Sequence, residues 1–236
     1  MSLVQARATE MMAAHGFLGV PLETFEQAGR EQLIALLAHG MNPESTVLEF
    51  GCGCLRIAYW LVRFLDPGHY CGLEPARGRV ELGLQYLFYD EIRRIKQPRF
   101  EFNAHFDPSA FGMQFDYVLA RSIWSHASKR QIGMMLDAFL RFARPDGVLL
   151  TSYLPTESSD PEYQAFLTAR FPEGCGPGGY DGDAWVGTSH ESDASGVVQH
   201  SLAWIVEQCA RRGLVAAELP GVDCDRQLWL RIERAR

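Results

Sequence analysis

The stretch VLEFGCGCLR, residues 47 to 56, puts three kinds of chemistry into one short segment. Glu49 is an acid inside an apolar run, Gly51 and Gly53 strip side chains from the backbone, and Cys52 and Cys54 add two thiols. A glycine turn lets backbone N–H groups and the start of a following helix approach a polar ligand with no Cβ in the way. The thiols suggest instead a metal site or a disulfide. Zinc sites take four ligands at spacings such as Cys-x2–4-Cys. Cys-x-Cys on a tight turn, with Cys71 on a neighbouring strand, fits that pattern poorly, so no metal is expected. At the end of the next apolar run, HYCGLEP, stands Glu74, placed where a carboxylate can accept hydrogen bonds from both hydroxyls of a ribose. Capping of the next helix is the simpler role for Glu74. Together the turn and the acid favour a nucleoside ligand.

The elements that must hold these groups follow from hydrophobic period. Leu33, Ile34, Leu36 and Leu37 form a helical stripe within residues 22 to 40, closed by Gly40. STVLEF reads as a strand, and Ile57, Trp60, Leu61, Phe64 and Leu65 as a helix that Asp66-Pro67-Gly68 ends. HYCGLEP is a second strand, and parallel strands need such a helical crossover. The alternation continues through a helix carrying Val80, Leu84, Leu87, Phe88 and Glu91, a third strand FEFNAHF and a fourth, FDYVLARS. Ile132, Met135, Leu136, Phe139 and Leu140 share one face of the next helix, and Pro145-Asp146-Gly147 turns into a fifth strand, VLLTSYL. Residues 155 to 200, rich in Gly, Ser, Pro, Asp and Glu, read as a lid-like insertion. Leu202, Ile205, Val206 and Cys209 then mark a helix stopped by Gly213, and LVAAELP and RQLWLRIER two last strands.

The 236 residues, 47% of them apolar, suit one α/β domain over 1–236 with a helical cap over 1–40. A formal net charge of -7 argues against binding to a phosphate backbone, and RRIKQPR, residues 93 to 99, reads as the solvated end of a helix. The N-terminal twenty residues lack the apolar core of a secretory signal, and no uncharged apolar run is long enough to span a bilayer. Six cysteines in a chain of this size are expected to be free thiols. The expectation is a soluble cytoplasmic protein, monomer or homodimer, with no nucleic-acid or membrane partner.

Taken as a set, VLEFGCGCLR, YCGLEP, FDYVLARSIWSHAS and RFARPDGVLLTSYL resemble the class I S-adenosylmethionine-dependent methyltransferases over about residues 25 to 155. The tail from Leu202 through RQLWLRIER resembles that fold's final helix and antiparallel strand pair. The resemblance implies a doubly wound, mostly parallel seven-stranded sheet with an antiparallel final strand. It also implies S-adenosyl-L-methionine as cofactor and methyl transfer to a small-molecule acceptor. It assigns Glu49, Gly51, Cys52 and Gly53 to the cofactor's methionine end and Glu74 with Pro75 to the ribose. Asn103, or His105 or Asp107 beside it, falls to the adenine, and Ala120 with Arg121 to the methionine amino group. Cys54 stands where a third glycine is usual, and Arg121 is bulkier than most residues at its position. The alternatives are an NAD(P)-dependent oxidoreductase, against which Arg56 in place of the third glycine of Gly-x-Gly-x-x-Gly argues, and a non-catalytic cofactor-binding module.

A sulfonium methyl needs in-line approach of a nucleophile at about 3 to 3.5 Å. A hydroxyl acceptor also needs a base, and His126 is the candidate because it follows the fourth strand, at the edge where open α/β sheets bind ligands. Packing of that loop is its simpler role. Trp124, Tyr153 and Tyr180 are candidate pocket residues, with His190 and His200 ranked behind His126 as bases. Nothing in the spacing brings Cys175 and Cys224 together for chemistry on a thiol-bound acceptor.

Overall fold

Four residues, Val47–Phe50, form the strand β1 on which the glycine turn rests, and all four are buried. Burial on both faces is what a strand between parallel neighbours requires. β2 (Tyr70–Leu73) and β4 (Phe115–Ala120) flank β1 in parallel, and β3 (Arg99–Glu101) pairs in parallel with β2. β7 (Leu228–Arg234) runs antiparallel to both β5 (Ala143–Tyr153) and β6 (Leu214–Val222). The strand order is β3-β2-β1-β4-β5-β7-β6, so the expected mostly parallel seven-stranded sheet with an antiparallel final strand is present. The chain steps outward from β1 to β3 and then returns to β4 on the other side of β1. That reversal is the switch point at which such sheets bind ligands.

The computed structural model describes residues 1–16, 22–156, 161–170, 198–222 and 226–236. Tyr180, His190, Cys175, Cys224 and most of the expected lid, 155 to 200, lie outside the described residues. Contacts group the chain into two compact units, Met1–Leu119 and Ala120–Arg236. The first holds helices α1 (Leu3–His15), α2 (Phe25–Ala38), α3 (Ala58–Phe64), α4 (Arg77–Leu87) and α5 (Asp90–Lys96). The second holds α6 (Lys129–Phe142), α7 (Pro161–Arg170) and α8 (Leu202–Ala210). Among the described residues no helix is long and apolar enough to cross a membrane.

Several local expectations need correction. The buried face of α2 is Phe25, Ala28, Gly29, Gln32 and Leu36, whereas Ile34 is 60% exposed. Close approach decides this face: a Cβ on Gly29 would lie 2.8 Å from the Trp60 indole nitrogen of α3, so the helix turns its small residues inward. Gln32 tolerates burial by donating to the Ala28 carbonyl. The stop at Gly40 is as expected: with φ +94° it lets the Met41 N–H reach back to the Leu36 carbonyl and its own N–H to that of Leu37, a Schellman ending. The single helix expected from Val80 to Glu91 is two, because Phe88 is extended and splits α4 from α5. The third strand covers only Arg99–Glu101, and Pro145-Asp146-Gly147 lies inside the extended lead-in of β5 rather than in a turn.

Two contacts fix the frame around the glycine turn. Asp116, the acid of FDYV, accepts hydrogen bonds from both the N–H and the hydroxyl of Thr46, each at 2.7 Å, tying the start of β4 to the start of β1. Gly83 of α4 sits directly against the turn: a Cβ there would meet Leu55 Cγ at 2.6 Å and the Cys54 carbonyl oxygen at 2.7 Å. Gly83→Ala is therefore expected to destabilise the protein by about 1–3 kcal/mol despite better helix propensity. Urea unfolding checks this; unchanged or raised stability would mean that α4 can back away from the turn.

Candidate functional site

In the first unit the turn after β1 is closed on itself. The Leu73 carbonyl accepts the Gly51 N–H at 2.7 Å, and the Cys52 carbonyl accepts that of Leu55 at 3.0 Å. The Gly53 N–H donates to Glu74 Oε2 at 3.0 Å, while Glu74 Oε1 accepts the Ala76 N–H at 3.0 Å. Glu74 thus does cap the start of α4, yet it also braces the glycine turn, a contact its sequence position did not suggest. Positive φ falls at Gly51 (67°), Gly53 (50°) and Leu55 (63°), so Leu55, and not Cys54, is the position where a glycine would sit without strain. Leu55 is fully buried, and its packing offsets the backbone strain. Above Gly53 the space is open, with nothing within 4 Å of a Cβ built there.

The thiols are packing groups. Cys52, Cys54 and Cys71 are free and buried, and Cys52 Sγ lies 2.8 Å from where a Cβ on Gly72 would be. Burial, then the nearby Glu49 and Glu74, push the Cys52 thiol well above its ordinary range. Among the described residues no group of three or more His, Cys, Asp or Glu could hold a metal ion.

Glu49 is 6% exposed, and its Oε2 accepts the Tyr70 hydroxyl at 2.6 Å. Burial pushes its carboxyl up to about 8, with Glu74 adding and Tyr70 and Arg56 opposing. Asn103 does not present its amide outward: Oδ1 accepts the N–H groups of His105 and Asp107, and Nδ2 donates to the Asp107 carbonyl. It shapes a loop in which Phe106, at φ 55°, meets Phe50 edge-on at 5.6 Å. The structure therefore brings Glu49, Gly51, Cys52, Gly53, Glu74 and Pro75 together at the ends of β1 and β2, while the Asn103 amide is bonded within the 103–107 loop.

In the second unit Ala120 closes β4, its carbonyl accepting the Thr151 hydroxyl at 3.0 Å, and Arg121 is 5% exposed. Trp124 and His126 lie on a short 3-10 turn, Trp124–His126. Trp124 is fully buried, and its indole N–H has no hydrogen-bond partner among the described residues; His126 is half-buried. Tyr153 is a core residue whose hydroxyl donates to Glu218 at 2.6 Å. His200 Nε2 lies 3.0 Å from the Trp124 carbonyl and 2.9 Å from that of Ala127, so it carries the hydrogen and staples this turn.

Sequence reasoning missed two features. Tyr70 looked like an ordinary strand residue. The second is a closed ring around Ser122, which sits at φ 60°: its N–H donates to Ser152 Oγ at 2.8 Å, Ser152 donates to Gln227 Oε1 at 2.7 Å, and Gln227 Nε2 donates to Ser122 Oγ at 2.7 Å. Nothing in residue type signals it, since its members come from three distant segments.

No protein-family model matches the chain, and no curated protein matches it. Solved structures do. The SAH-bound magnesium protoporphyrin IX methyltransferase ChlM from Synechocystis PCC 6803 superposes with a TM-score of 0.60 at 18% identity, over 99% of this chain and 95% of that one. The DhpI–SAH complex gives 0.59 at 14%, over 98% and 93%, and the methyltransferase domain of bacterial CtHen1-C gives 0.58 at 10%, over 90% and 100%. At these identities the likeness is one of fold. The chain has the fold of the class I S-adenosylmethionine-dependent methyltransferases.

Gln227→Leu should break the ring, removing the acceptor of the buried Ser152 hydroxyl and a donor to Ser122 Oγ, at a cost of about 1–3 kcal/mol. Denaturant unfolding measures this, and a loss below experimental error would show that the ring does not hold the turn.

Proposed function

We propose that the chain is an S-adenosylmethionine-dependent methyltransferase acting on a small-molecule acceptor. The observation that carries this reading is the hydrogen bond from the Gly53 N–H to Glu74. A nicotinamide dinucleotide needs turn amides free for its diphosphate. Here the amides of Gly51, Gly53 and Leu55 already have partners, and two carboxyls, Glu49 and Glu74, stand at the turn. Such a site repels a diphosphate and suits a ligand that is cationic at one end and hydroxylated at the other. The open space over Gly53 leaves room for it.

Bound there, the cofactor supplies a sulfonium methyl for in-line transfer to an acceptor. Glu49 receives the ammonium of its amino-acid end, as an anion acting on a cation at low local dielectric. Glu74, held by the Gly53 and Ala76 N–H groups at the end of β2, accepts the ribose hydroxyls. Pro75 walls the ribose, and Asn103 shapes the loop at the adenine. Ala120 and Arg121 are assigned to the cofactor by resemblance. Trp124 offers an indole N–H, and His126 is the proposed base for a hydroxyl acceptor. The net charge of -7 favours a metabolite over nucleic acid. The names of two fold neighbours point the same way: ChlM is a magnesium protoporphyrin IX methyltransferase, and DhpI has been solved as a SAM-HEP complex.

Calorimetric titration with S-adenosylhomocysteine tests the reading. Binding is expected, with no response to NADH. Glu74→Ala should weaken binding at least tenfold, since hydrogen bonds to an ionised acid contribute about 1.5–3 kcal/mol each. No heat at millimolar ligand, or binding of NADH instead, would overturn it.

A further inference from the structure

Two buried carboxyls lie at the same turn with unequal support. Glu74 has two backbone N–H donors on its two oxygens, each at 3.0 Å. Among the described residues Glu49 has a single hydrogen-bond donor, the neutral Tyr70 hydroxyl, and it is 6% exposed. Backbone N–H groups favour the ionised form of the acid they serve, whereas burial beside a like charge disfavours it. Paired acids in such unequal settings separate into one that is ionised and one that keeps its proton.

We propose that this site exchanges a proton for its ligand: Glu49 is a neutral carboxylic acid in the free protein, and the ammonium of the cofactor's zwitterionic amino-acid end displaces its proton on binding. The inference rests on the reading of this turn as an S-adenosylmethionine site. The groups acting on Glu49 are Tyr70 from β2, Glu74 just beyond it, and Cys52 and Arg56 from the turn; β4 places the neutral Leu119 opposite in register. Only Arg56 is cationic, and its effect is smaller than that of burial. The O–H bond of the Glu49 carboxyl breaks, the proton leaves to buffer, and the electron pair remains on the carboxylate facing the ligand's ammonium. No redox step is involved.

The upward shift of Glu49 to about 8 agrees with this and fixes the sign of two effects. An acid that holds its proton more tightly folded than unfolded weakens the fold as it ionises. Its contribution is therefore fully present below the ordinary value of 4.5 and is lost as pH rises through about 8. In the same window ligand binding releases a proton, so affinity rises with pH towards tenfold per unit until Glu49 ionises unaided.

The experiment is calorimetry of the full chain at about pH 6.5 with S-adenosylhomocysteine in buffers of different ionisation enthalpy, whose slope counts protons released. About one proton is expected for the wild type, none for 5′-methylthioadenosine, which lacks the amino-acid end, and none for Glu49→Gln with S-adenosylhomocysteine. Binding of S-adenosylhomocysteine by wild type with no proton release would overturn the inference and leave the methyltransferase reading intact. Absence of binding at every pH would overturn both. The wild-type slope needs no variant, so a poorly folded Glu49→Gln does not weaken the test.

Discussion

The hydrogen bond from the Gly53 N–H to Glu74 is the contact around which the rest of the first unit is organised. It joins the turn after β1 to the end of β2, and it exists only because those strands run parallel in a register that sets Phe50 against Leu73. Close packing then locks the turn from two sides. Cys52 fills the space that a side chain at Gly72 would take, and Leu55 with the Cys54 carbonyl fills that of Gly83. A turn so constrained is preorganised, which limits the ordering cost of holding a ligand.

The same contact sets the electrostatics. Glu74, buried with its oxygens engaged by backbone N–H groups, adds to the effect of burial in raising the Glu49 carboxyl. The absence of a side chain at Gly72 and at Gly83 is what permits strand β2 and helix α4 to close on the turn.

How much was legible in the sequence differs with the kind of interaction. The alternation of strands and helices and the parallel pairing across the first crossover followed from period and spacing, whereas the mostly parallel seven-stranded sheet was implied by the resemblance. The buried face of α2 was misread because apolar content marked Leu33, Ile34 and Leu37, whereas steric access at Gly29 chose the other side. The strain at Leu55 was placed one residue early, on Cys54, since φ is not written in residue type. That the Asn103 amide binds within its own loop was not readable, since its partners are the backbone groups of His105 and Asp107. Tyr70 and the ring of Ser122, Ser152 and Gln227 were invisible, as they depend on side chains from separated segments meeting in the folded chain.

A crystal structure of the protein with S-adenosylhomocysteine tests the central claim most directly. The account predicts the amino-acid end over the Gly51–Gly53 turn, both ribose hydroxyls within about 2.5–3.0 Å of Glu74 oxygens, and the Gly53 N–H still bound to Glu74. A ligand bound elsewhere, or a turn opened so that the Gly53 N–H leaves Glu74 to meet an anion, would contradict it.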